Sequence, residues 1–193
     1  MIGMKRMVPS VCLALMLAGC STTDSTARSS EPIEGAYSEG DVVTAAEEFF
    51  AGGADGLAEV LHRVFNDHGP PQGYIKGTEG GGALVFGLRY GQGVLHLQGR
   101  TRHVYWNGPS IGFDVGGNAA KVFMLVYGLH SEDTLFQRFP GVEGSLYLIG
   151  GVGVTYHRSQ DTVIAPVRFG VGWRHGVNVG YLKFTRGKSL IPF

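Results

Sequence analysis

Cysteine is almost missing from this chain, with two in 193 residues, Cys12 and Cys20, both near the start. The remainder can form no disulfide and offers no thiolate nucleophile or Cys-based metal site. An excess of charge is missing too: 16 basic residues face 16 acidic ones, which leaves no basic stripe for nucleic acid and no polybasic patch for anionic lipid. The seven histidines, at positions 62, 68, 96, 103, 130, 157 and 175, show neither H-E-x-x-H nor another ligand spacing. No apolar run reaches the roughly 20 residues of a membrane-spanning helix. On these grounds no catalytic residue, metal ligand or cofactor is assigned, and nucleic acid is excluded as a partner.

What is present begins with a processing signal. Lys5 and Arg6 precede an apolar run from Met7 to Leu17, interrupted by Pro9, Ser10 and Cys12, and "LAGC" closes it at Cys20. Charge, apolar segment and small residues in that order mark a secretory signal. A cysteine directly after Leu-Ala-Gly resembles a bacterial lipoprotein signal, in which Cys20 takes a diacylglycerol and becomes the new N-terminus; an ordinary cleaved signal peptide is the alternative. Residues 1–19 are then the signal peptide. Cys20 is the lipidation site, and Ser21 after it fits onward transport, so the expected location is the periplasm of a Gram-negative bacterium, anchored by lipid to the outer membrane. Residues 20–36, polar and rich in Ser and Thr, are a flexible tether, and residues 37–193 form a single domain.

That domain opens with helical periodicity. In "DVVTAAEEFF" the apolar residues Val42, Val43, Ala46, Phe49 and Phe50 recur on one face of a 3.6-residue period, and "ADGLAEVLHRVFNDHG" repeats this with Leu57, Val60, Leu61, Val64 and Phe65. From residue 80 onward the period is 2. "GALVFGLRYG", "GVLHLQG", "RHVYWNG", "SIGFDVGG", "AKVFMLVYGL", "SLYLIGGVGVTY", "TVIAPVRFGVGW" and "VNVGYLKF" are strand signals with tight turn punctuation. In "HSEDTLFQRF" Ser131 is a natural helix N-cap, which predicts a helix over residues 131–139. The fold class is mainly β: a small antiparallel, closed or nearly closed soluble barrel with N-terminal helices.

Glycine is abundant, at 32 residues, and "GTEGGGALVFG" invites comparison with a phosphate-binding loop. That motif needs a helix after the glycines and a Lys-Ser/Thr pair; here a strand signal follows and the pair is missing. Glycines inside alternating segments are read instead as relief of crowding in tightly coiled strands.

Three groups of residues are candidates for function. Arg89, Arg168 and Arg174 lie within strand signals, and an arginine that faces inward needs an anionic partner, either an internal carboxylate or a ligand headgroup. Asp114 sits among apolar residues. Tyr105 and Trp106 offer rigid aromatic area in the turn-flanked "VYWNGPSIGFD", so Tyr105, Trp106 and Asp114 are taken as a possible binding surface, with Trp106 as a core residue the competing reading.

The stretches "GLAEVLHRVF", "GYIKG", "GLRYGQGVL", "VYWNGPSIGFDVGG", "QRFPGVEGSLYLIGGVGVT" and "APVRFGVGWRHGVNVGYLKFT" resemble the envelope integrity protein A family of small periplasmic β-barrel proteins. "KGTEGGGALVFGLRYGQGVL", "GPSIGFDVGG" and "DTVIAPV" are more weakly similar to the lipid-binding domain called SYLF. The first resemblance implies a non-enzymatic role in envelope integrity; the second implies an apolar or lipid-binding surface. Together with the anchor they point to a membrane-tethered barrel whose partner is an envelope lipid, peptidoglycan or another cell-wall component, or an envelope protein. The alternative is a carboxylate-based hydrolase of envelope glycan or lipid, for which Asp114 would have to meet Glu79, Glu132 or Glu143.

Overall fold

The computed structural model describes residues 35–52, 55–82, 86–111, 119–169 and 180–189. Cys20, Asp114 and Arg174, and all of the tether before Gly35, lie outside them. Helix α1 (Glu39–Phe50) starts where the Ser38 hydroxyl accepts the Asp41 N–H, with Glu39 and Asp41 in the first turn, and stops at Ala51 in left-handed geometry. Helix α2 (Leu57–His68) buries Leu57, Val60, Leu61 and Val64, the stripe read from the sequence. None of the described helices is long and apolar enough to cross a membrane.

Ten antiparallel strands follow: β1 (Gly73–Gly82), β2 (Phe86–Leu97), β3 (Arg100–Ile111), β4 (Ala120–Tyr127), β5 (Arg138–Pro140), β6 (Tyr147–Ile149), β7 (Val152–Val154), β8 (His157–Ser159), β9 (Thr162–Phe169) and β10 (Tyr181–Thr185). They form one sheet in the order β5-β10-β3-β2-β1-β4-β9-β7-β6, with β8 also on β9. The sheet curls, and its two faces carry separate cores. The inner face holds Ile75, Leu95, Val104, Trp106, Met124, Ile164, Leu182 and Phe184. On the outer face Phe123, Leu125, Val163, Ala165 and Val167 pack under α1 and α2. Strands β4 and β9 therefore bury both faces, which is why "AKVFMLVY" is apolar without alternation.

A closed or nearly closed barrel is not what forms. The sheet is a curled, open half-barrel with β5 at one margin and β6 at the other. Among the described residues β8 approaches the β5 side without forming a ladder: the backbone contacts are one isolated bridge, Gly141 to His157, and the bond from Val142 N–H to Tyr156 O, and His157 and Ser159 add side-chain bonds to Phe139 O and Gln137. The physical reason lies in the margins. Strand β5 has three residues ending in Pro140, which has no N–H to donate, and the free flank of β9 is already taken by the short strands β7 and β8. The helix expected over 131–139 is also corrected: a single 3-10 turn, Glu132–Leu135, precedes strand β5, and the Ser131 side chain makes no capping bond. The run "GYIKGTEGGG", read as glycines ahead of a strand, is itself strand β1.

A glycine slot for a buried tryptophan and a cleft above it

Register brings distant residues into rows. Glu79 pairs with Gly91, and Gly91 with Trp106; since side chains alternate, this row points to the inner face. Trp106 is 1 % exposed. Its indole lies on backbone rather than side chains, because a Cβ at Gly91 would overlap Trp106 Nε1 and Cε2, and one at Gly77 would overlap Cη2. Gly77, from the run that resembles a phosphate loop, and Gly91 of β2 thus open a slot for one large ring.

The ring is fixed from the side by a buried ion pair. Trp106 Nε1 donates to Glu79 Oε2 at 3.3 Å. Arg168 Nε donates to Glu79 Oε1 and its Nη2 to Oε2. Glu79 is 1 % exposed. Burial by itself would raise its carboxyl, but the charges of Arg168 and Arg89, with the hydrogen bonds from Arg168 and Trp106, outweigh that and hold it below the ordinary carboxylate range. Arg89 reaches the same neighbourhood. Its Nη2 donates to Pro109 O at 3.1 Å, while its Nε is buried without a partner. Burial, then repulsion from Arg168, partly offset by Glu79, pushes its guanidinium down to about 10.

The same field reaches His157, which is buried with Nδ1 3.2 Å from Phe139 O. Burial, then the charges of Arg168 and Arg89, push it down to about 3, so it is neutral at physiological pH. A histidine depressed on folding contributes stability that is present above its unfolded value, about 6.5, and is lost as the pH falls toward the folded value. His157→Asn is expected to flatten the dependence of unfolding free energy on pH between about 6.5 and 4, measured by urea titration at each pH. An unchanged slope would refute this role of His157.

The next row turns outward. Thr78, Gln92, Tyr105 and Thr185 are cross-strand neighbours on the convex face. They border a cleft of about 250 Å³ together with Tyr90, Ala119, Lys188 and Ser189, and Trp106 and Glu79 belong to its floor. The wall at Lys188 and Ser189 is held by two bonds, Asn107 Nδ2 to Ser189 O at 3.3 Å and Thr185 Oγ1 to Gly187 O at 2.8 Å. Tyr105 is half-buried in this wall-and-floor arrangement.

The candidates thus separate. Arg168 has an internal carboxylate as its partner, Arg89 shares that neighbourhood, and Arg174 lies outside the described residues. Tyr105 and Trp106 belong to one cleft from opposite faces of the sheet, Trp106 as a core residue; Asp114 lies outside the described residues. Glu79, the residue that ties this site together, had only the hint of a lone acid between glycines. His96 and His103 share the convex face, but register sets them opposite Thr101 and Val94 rather than each other.

The carboxylates considered as partners for Asp114 stand in separate settings. Glu132 accepts from Arg102 Nη1 at 2.5 Å and from Arg100 Nε at 3.1 Å. Glu79 is taken up by Arg168, and Asp114, which this alternative needs within about 5–9.5 Å of a second carboxyl, lies outside the described residues. Glu143 is exposed on a loop. The chain also holds one G-x-S-x-G spacing, Gly108 to Gly112, but Ser110 lies within β3, not at the strand-to-helix turn of a hydrolase elbow.

Comparison with known proteins places this geometry. The family model described as Envelope integrity protein A matches residues 35–193. No curated protein matches the chain. Among solved structures, the crystal structure of a beta-barrel-like, uncharacterized protein from Brucella abortus is similar at 40 % identity and a TM-score of 0.75, covering 82 % of this chain and 99 % of that one.

Proposed function

Because the chain belongs to the envelope integrity protein A family, whose name assigns it to the bacterial envelope, we propose that it is a non-enzymatic envelope-integrity protein, held at the outer membrane by lipid on Cys20 and engaging an envelope component through the cleft at Tyr105. The observation that carries this reading is the state of Glu79. The one carboxylate at the floor of the cleft is turned inward, buried and neutralised by Arg168, which suits it to hold the floor in shape. The cleft is lined by aromatic rings and glycines with Thr, Gln and Lys side chains among them, its exposed surface mainly apolar, the make-up of a binding site. The family's name supports an envelope location, and "LAGC" supports the anchor.

The test is complementation. A deletion strain should grow but become sensitive to detergent and to antibiotics that attack the cell wall. The wild-type chain should restore resistance, Tyr105→Ala should be made at normal level yet fail to restore it, and Cys20→Ser should move the protein into the soluble periplasmic fraction. A deletion strain as resistant as its parent would refute the function. Full rescue by Tyr105→Ala would refute the cleft, and a Cys20→Ser variant that stays in membranes through a high-salt wash would refute the anchor.

A further inference from the structure

The five strands β5, β10, β3, β2 and β1 contain a single acidic residue, Glu79, and it points inward. Their convex face therefore carries no strand carboxylate at all, although the whole chain has as many acidic as basic residues. Cations are present on that face. Arg138 pairs in register with Lys183, and Lys183 with Asn107, so all three project outward; Lys76 lies on the same side of β1, and Lys188 borders the cleft. Among the described residues neither Lys183 nor Lys188 has a carboxylate partner. Tyrosines are interleaved with these cations. The Arg138 guanidinium lies 4.9 Å from the Tyr181 ring centre, and the Lys76 ammonium 5.6 Å from that of Tyr74.

Resting on the reading of the cleft as a binding site, we propose that it takes an acidic glycan, a sugar chain bearing carboxylate or phosphate groups. A sugar ring lies against Tyr105. Its hydroxyls meet the outward row of Thr78, Gln92 and Thr185, and the acidic group is held by Lys188 with Lys183 in the adjoining row. Size agrees with this: at about 250 Å³ the cleft falls below the roughly 300–1,000 Å³ of sites that enclose a whole drug-sized ligand, as suits one or two units of a chain that continues over the face. Lipid is the less suitable occupant, because the apolar lining of the cleft comes from aromatic rings and glycines, with Ala119 its one aliphatic side chain, and Leu88 is the one large apolar side chain described as exposed on these five strands, at 37 %. A face that inserts among acyl chains presents several such residues together. The floor is rigid, since the glycine slot and the Glu79 bond leave Trp106 one position, and a site with a fixed shape loses less freedom on binding.

The experiment measures binding of purified mature protein, by titration calorimetry and by sedimentation, to four probes: oligogalacturonate, a phosphorylated mannan oligosaccharide, an uncharged cello-oligosaccharide, and phosphatidylglycerol vesicles. Either acidic oligosaccharide, or both, should bind, more weakly as salt rises. The choice between the two distinguishes carboxylate from phosphate. Tyr105→Ala and Lys188→Gln should each weaken that binding about tenfold or more, while Arg158→Gln, a cation away from this face, should bind as the wild type does. Equal binding of the uncharged oligosaccharide, binding of the vesicles alone, or no binding of either acidic probe would overturn the proposal. Should that happen while Tyr105→Ala still fails to restore resistance in cells, the cleft keeps its function and only the ligand class is lost.

Discussion

Exchanging Glu79 for Gln is expected to lower the free energy of unfolding by about 3–5 kcal/mol, the cost of a buried ion pair that loses one partner. The side chain is 1 % exposed and receives hydrogen bonds from Arg168 and Trp106. Removing its charge leaves two guanidiniums, those of Arg168 and Arg89, with no compensating charge beside them among the described residues. The effect exceeds the loss of a hydrogen bond, which is about 0.5–1.5 kcal/mol net, because desolvated cations then repel. Urea unfolding at neutral pH measures it, and a change below about 1 kcal/mol would mean that the pair is solvated after all. Combining Glu79→Gln with Arg168→Met should cost less than the two changes taken separately, as expected for groups in direct contact. The pH dependence has a defined sign. A carboxylate held below its ordinary value adds stability that is present above the unfolded value of about 4.3, and that is lost as the pH falls through the lower folded value. The Glu79→Gln variant should therefore lose less further stability on acidification than the wild type.

Trp106→Ala should cost about 3–5 kcal/mol, the range for emptying the site of a large buried aromatic side chain. Its ring contacts Phe184 at 5.9 Å between centres and fills the space above Gly77 and Gly91. Gly91→Ala tests the same packing from the other side. A Cβ there would overlap the indole, so the ring must leave its slot and give up Glu79, and overpacking alone costs about 1–3 kcal/mol. The informative comparison is between backgrounds. In a Trp106→Leu protein the same Gly91→Ala exchange should be nearly neutral, since the atoms it would strike are gone. Thermal or urea unfolding of the four proteins of this cycle gives the coupling directly. Equal costs in both backgrounds would show that Gly91 serves the backbone rather than the ring.

How much of this was legible in the sequence depends on the range of the interaction. The helices follow from a local 3.6-residue stripe, and α2 buries Leu57, Val60, Leu61 and Val64 as that stripe requires. Alternation in "TVIAPVRF" sets Val163, Ala165 and Val167 apart from Ile164, Pro166 and Arg168, because pleating is a property of one strand, and the first three share one core while Ile164 lies in the other. It could not say that both faces would be buried. The need of Arg168 for an anion was legible as chemistry, whereas its partner stands 89 positions away along the chain and is found only through the registers of β1 with β4 and of β4 with β9. The glycines of β1 misled, since a strand with little side chain looks like a loop until the tryptophan that fills it is in view.

Composition, local period and end signals were thus enough to determine that this is a mainly β protein with two N-terminal helices, no cysteine chemistry after Cys20, and an arginine in search of a carboxylate; each of these rests on residues within a turn or two of one another. Tertiary structure alone decided that the sheet stays an open half-barrel, that Trp106 lies against Gly77 and Gly91, and that Tyr105 and Lys188 meet at one cleft. Those outcomes depend on which strands lie side by side and in what register, and register is chosen by the burial of whole faces at once.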